Sequence, residues 1–142
     1  MNELILKFNY SFTNNEKEQC KPTIYKLVRI ANLTRQMGIV AFKSELDQES
    51  SIFMKTAFGL LADGVEQTIV KQILQNLILA DDHSGVELLN RLLIFEGAIA
   101  IQDGELPRLI EWKLFSMLGE RYIPIDDICK SYSHSITLIN AD

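Results

Sequence analysis

Several features are scarce in this sequence, and each shortage excludes a class of protein. Two cysteines, Cys20 and Cys129, in 142 residues are too few for a disulfide framework or a zinc site. They read as free thiols in a reducing compartment. No cluster of Lys or Arg builds a basic face, and the net charge of −5 argues against a general affinity for DNA, RNA or anionic lipid. Long apolar runs are missing too. A membrane span needs about 20 apolar residues. The strongest stretch, Leu92 to Ile101, contains Glu96 and is bounded by Arg91 and Asp103, so it reads as a buried helix. Glu3 and Lys7 break any N-terminal signal-peptide pattern. There is no Gly-rich phosphate loop, no nucleophile elbow and no paired-cysteine motif, and no internal repeat or low-complexity tract stands out. The expectation is a cytoplasmic protein with no membrane span, no nucleic-acid partner, no catalytic activity, no metal and no cofactor.

What is present is enough apolar residue, 47% of the chain, to bury a core. One domain is expected over residues 1–142: an N-terminal strand and turn (1–21), a helical core (22–119) and a tail with a short strand (120–142). From Leu4 to Phe12 the apolar residues alternate, as in a half-buried strand. Thr13-Asn14-Asn15 reads as a turn, with Pro22 or Thr23 opening a helix. Ile24, Leu27, Val28 and Ala31 make its apolar stripe, continued by Ile30, Leu33, Met37 and Val40 or Ala41. That helix either runs on to Leu46 or breaks at Gly38.

Ser50 or Ser51 caps a second helix, which Asp63-Gly64 stops. A third runs from about Glu66, and a fourth from Val86 to about Gln102, apolar on nearly all sides. Pro107 starts a fifth, closed by Gly119. Ile136 and Leu138 suggest a second strand. The fold class is therefore mainly α: a compact bundle of about five helices with a small β-ribbon from the two termini.

Few residues carry candidate chemistry. Asp81-Asp82-His83 looks metal-like, but three consecutive residues at a helix end point in different directions, so they read as a solvated terminus. Glu96 is an acid in the most apolar helix; it pairs with an arginine such as Arg91 or Arg108, faces a wet seam, or titrates high. Trp112 fits either the core or an interface centre.

Two stretches resemble a known family. Residues 33–45 (LTRQMGIVAFKSE) and 52–64 (IFMKTAFGLLADG) are similar to the cytoplasmic loop of MotA, the stator subunit of the bacterial flagellar motor. Residues 92–108 (LLIFEGAIAIQDGELPR), continuing to Leu118, are similar to that family's C-terminal cytoplasmic helices. Here Glu96, Gly97, Ile101, Gln102, Gly104, Pro107, Arg108 and Lys113-Leu114 all fall on the family pattern. Together the stretches span roughly residues 25–118. The family carries transmembrane helices before the first stretch and between the two. Here Met1–Lys21 stands in place of the former, and Asp82–Glu87 joins what the latter separates.

The resemblance implies a stator-like module without an ion channel. In the family an Arg and a Glu on the first helix engage the rotor's switch-complex protein. Arg35 matches the Arg; Lys43 occupies the Glu position, with Glu45 two residues on and about 160° around a helix. The expected function is non-catalytic protein interaction in a bacterial cytoplasm. Arg35, Lys43, Glu45 and Trp112 would bind a rotor switch-complex or stator component, or a second copy in a homo-oligomer. Glu96, Gln102, Pro107 and Arg108 would hold the last two helices at their joint, with Gly97 and Gly104 in the same structural motif. The competing expectation is a small-ligand-binding regulatory domain, its cavity lined by Phe53, Phe58 and Phe95 with Glu96 as polar anchor.

Overall fold

A computed structural model describes residues 11–48 and 51–125, and the elements follow from local signals in the chain. Helix α1, Asn14–Met37, starts at a capping box: Thr13 Oγ1 accepts from the Glu16 amide at 3.1 Å, and the Glu16 carboxylate accepts from the Thr13 amide at 2.8 Å. The stretch expected as a turn is therefore helical, and Pro22 lies inside the helix rather than at its start. The Thr-x-x-Glu spacing sets the start, and burial of Cys20, Ile24 and Leu27 around Pro22 offsets the hydrogen bond that proline removes. Gly38 ends α1 at φ 82°, leading to a 3-10 turn (Ile39–Phe42) and a short α2, Lys43–Asp47. The break falls at Gly38 because a left-handed cap strains any residue with a Cβ.

Helix α3, Ile52–Ala62, is capped by Ser51, whose hydroxyl accepts from the Met54 amide. Helices α4 (Gln67–Ala80), α5 (Gly85–Gln102) and α6 (Pro107–Leu118) follow, then a 3-10 turn, Glu120–Tyr122. The described residues thus hold six α-helices rather than about five, and no strand. Of the expected β-ribbon, residues 4–10 and 136–139 lie outside the described residues; Phe12 packs against the core ahead of α1 without joining a strand.

Helix α5 is the axis. Ten of its 18 residues are buried on all sides, and it packs against α1, α3, α4 and α6. Alignment with α1 is parallel: Cys20 lies against Val86, Thr23 Oγ1 donates to Asn90 Oδ1 at 2.6 Å, and Leu27 meets Gly97. Cys20 is a free, fully buried thiol, pushed up to about 11 by burial and by the Glu16 charge. It acts as a small core residue. Cys129 lies outside the described residues.

One backbone solution is used twice. In α3–α4 the Gly64 amide donates to Leu61 O and Val65 to Leu60 O; in α5–α6 Gly104 donates to Ile101 O and Glu105 to Ala100 O. Both are Schellman closures around Asp-Gly, with the glycines at φ 71° and 74°. Forty positions separate them, and the same offset relates the buried Val70, Leu74 and Ile78 of α4 to Ile110, Leu114 and Leu118 of α6. The chain therefore does contain an internal structural repeat, an αα-hairpin with almost no residue identity to betray it. The paired turns are stitched together: Gln102 Nε2 donates to Val65 O at 2.8 Å, and Gln67 Nε2 to Asp103 Oδ1 at 2.7 Å.

Candidate functional site

The residues singled out for partner contact fall at the far end of α1. Arg35 sits in its last turn and is exposed, as is Lys43 at the start of α2. Between them Met37 and Val40, expected to extend the core stripe, are instead exposed by 62% and 67%. Met37 closes the last turn of α1 and Val40 follows the turn at Gly38, and neither packs on the core, whereas Ile39 does. The result is a knuckle carrying two cations and two apolar side chains.

Glu45 does not join this knuckle. It is half-buried and accepts from Arg29 Nη2 at 2.9 Å. Arg29 lies six residues before Arg35, about 9 Å down α1 and about 120° around it. Trp112 is half-buried on α6 and stands outside the main core cluster.

In the second set of residues, Gly97 lies against α1. A Cβ there would lie 3.0 Å from a Leu27 methyl, so the glycine lets α1 close onto α5. Gln102 ties α5 to the α3–α4 turn rather than to α6. Gly104 and Pro107 do build the joint, the one as the left-handed closure and the other as the first residue of α6. Arg108 is exposed on the first turn of α6.

Glu96 is half-buried with its Oε2 sealed from solvent and without a hydrogen-bond partner among the described residues. Burial pushes its carboxyl up, opposed by Lys113 and Lys71 and reinforced by Glu105. The influential cations are therefore lysines from α6 and α4, not Arg91. Arg91 donates to Glu87 O and lies 5.8 Å from the Phe53 ring centroid. Lys113 itself is held by both oxygens of Glu105, at 2.7 and 2.9 Å.

Of the aromatics expected to line a cavity around Glu96, Phe58 and Phe95 are fully buried in the core, and Phe53, 5% exposed, lines a groove of about 190 Å³ with Ile52, Leu77, Asp81 and Arg91. Asp81 and Glu87 flank opposite nitrogens of His83, at 3.6 and 3.4 Å, so the two carboxylates do not converge on one point.

Among the described residues a groove of about 480 Å³ lies elsewhere, between α1 and α6, and was not foreseen. Tyr25 packs edge-on to Phe115 with centroids 5.8 Å apart. Lys21 lies 5.2 Å from the Tyr122 centroid and pairs with Glu18 at 2.9 Å. That hydrogen bond holds the Glu18 carboxyl below its usual range. Tyr25, an aromatic one position off the buried stripe of α1, was the available signal.

Among proteins of known identity, the chain is similar to the chemotaxis protein PomA of Vibrio alginolyticus, with 37% identity over 99 residues. The match covers 64% of this chain and 37% of that protein, so the chain accounts for well under half of its relative's length. No protein-family model matches the sequence, and no solved structure matches it significantly. Among the described residues, no helix is long and apolar enough to cross a membrane. The 37% identity supports a relationship to the MotA- and PomA-like stator proteins.

Proposed function

We propose that this chain is a stator-like protein-interaction module that binds a motor component, or a second copy of itself, in a bacterial cytoplasm, without catalysing a reaction or conducting ions. The observation that carries this reading is the 37% identity to PomA over 99 residues. The surface proposed for the contact is the knuckle of Arg35, Met37, Val40 and Lys43. Its cations would steer an acidic partner and set specificity, while Met37 and Val40 supply the area from which affinity comes. Each exposed ion pair would add only about 0.2–1 kcal/mol. Glu45, engaged by Arg29, has the smaller role.

The test is binding of the purified chain to the rotor switch-complex protein, wild type beside Arg35→Glu and Met37→Ser, at low and moderate salt. Binding that weakens with salt and with Arg35→Glu, and falls again in Met37→Ser, is the expected result. Equal binding by all three proteins would remove the knuckle from the interface. Absence of binding by wild type under every condition would leave the likeness to stators as one of fold alone.

A further inference from the structure

The two Asp-Gly turns and the knuckle of α1 lie at one end of the bundle. Gln102 and Gln67 tie the turns to each other. Helix α1 runs parallel to α5 and meets it closely where Leu27 packs on Gly97. Beyond that contact α1 continues for ten residues to Met37, about 15 Å, and α5 for five to Gln102, about 8 Å. The knuckle therefore projects past the end of α5, at the end where the turns lie.

Much of the apolar surface left uncovered is concentrated here. Of the nine large apolar side chains exposed among the described residues, five belong to this end. Met37 and Val40 are on the knuckle, Leu106 caps the start of α6, and Ile69 and Leu109 sit in the first turns of α4 and α6. Exposed apolar residues scattered singly are ordinary, whereas a concentration of them marks a contact surface. The pattern of burial is identical along 61–70 and 101–110, so the repeat presents this face twice.

Charge divides the same end into complementary halves. Arg35 and Lys43 make the knuckle basic, and neither has a hydrogen bond or ion pair among the described residues. The turns are acidic: Asp63, Glu66 and Asp103 are exposed, and none is paired with a cation among the described residues. Glu105 is taken by Lys113, and Arg108 is exposed in the same stretch, yet the turns stay net negative. Within one chain, then, no ion pair joins the two halves.

We infer that this end is the interface of a symmetric dimer, in which the knuckle of each copy docks on the paired turns of the other. Both halves lie at the same end of one chain, so a two-fold axis there satisfies both at once and doubles every contact. A partner with only an acidic or only a basic face would cover half of it. The ion pairs set orientation and salt sensitivity, while five apolar side chains from each copy supply the buried area. The inference rests on the reading of the knuckle as a contact surface and names its occupant.

The experiment is sedimentation equilibrium of the full chain over a wide concentration range, at low and moderate salt. Two variants reverse one half each: Arg35→Glu with Lys43→Glu, and Asp63→Lys with Glu66→Lys. Wild type should pass from monomer to dimer and no further, with affinity falling as salt rises. Each reversed variant alone should dimerise about tenfold more weakly. An equimolar mixture of the two should recover the dimer, because each reversed half then faces its complement. Leu106→Ser should weaken dimerisation about threefold without changing its salt dependence. Melting close to wild type shows that these exposed substitutions keep the fold.

A chain that stays monomeric throughout overturns the inference; if it still binds the rotor switch-complex protein through Arg35, the knuckle reading survives alone. Dimers indifferent to both reversals, or a mixture that stays monomeric, overturn it as well. Dimers indifferent to the knuckle reversal, beside rotor binding equally indifferent, would remove the knuckle from both readings. Growth beyond two copies with rising concentration would make the contact head-to-tail and overturn the two-fold arrangement.

Discussion

Replacing Gly97 by alanine tests the close contact between α1 and α5. Gly97 lies midway along α5 with ordinary helical backbone, so the substitution alone should stabilise the helix by about 1 kcal/mol. Its new Cβ, however, would sit 3.0 and 3.1 Å from the two methyls of Leu27 and 3.4 Å from its branch carbon. Carbon atoms prefer about 3.5–4.0 Å, so Leu27 must retreat by about half an ångström. Leu27 is fully buried, so its retreat presses on neighbouring core side chains. Overpacking of this kind costs about 1–3 kcal/mol. The clash wins, and Gly97→Ala should destabilise by about 1 kcal/mol net, a fall of about 4 °C in melting temperature.

Leu27→Ala costs about 2–5 kcal/mol by itself but removes the obstructing methyls. In that background Gly97→Ala should become stabilising by about 1 kcal/mol. The reversal of sign, measured by urea unfolding of the four proteins with equal slopes, is the signature of direct contact. If Gly97→Ala shifts the midpoint equally in both backgrounds, the contact does not govern this position.

Two further predictions concern polar groups around α5. Because burial raises the Glu96 carboxyl above its usual value, the folded state holds that proton more tightly than the unfolded state. Stability contributed by this group therefore falls as pH rises from the unfolded pKa through the folded one. Glu96→Gln should melt higher than wild type at pH 8 and match it near pH 3; a constant difference across that range would contradict the assignment. Gln102→Ala should cost about 1 kcal/mol by freeing Val65 O, and about as much again when combined with Gln67→Ala. Hydrogen exchange should then rise at Val65 and Glu105 before it rises in mid-helix; unchanged protection at both turns would show that the stitching contributes nothing.

Much of the bundle was legible because its cues are local. Ser51 before an apolar run, the two Asp-Gly stops and Pro107 each resolve an orphan amide, carbonyl or φ constraint within a few residues of chain. The apolar texture of 86–102 marked it as central for the same reason: a helix without a polar face has to be enclosed. The start of α1 was just as local, but the Thr13–Glu16 box went unread in favour of a start at Pro22, nine residues after Thr13.

Tertiary structure alone decided which equivalent-looking residues face outward. Met37 and Val40 continue the periodicity of α1, yet neither packs on the core, whereas Ile39 does. Gly97 and Gln102 sit in one motif along α5, yet they serve α1 and the α3–α4 turn. The repeat was invisible because identical backbone closures need only Asp-Gly and apolar positions in step, not matching residues. The groove exists only where two distant helices lie side by side. Local hydrogen bonding and burial pattern are written along the chain, whereas the pairing of faces depends on how all the helices close around α5.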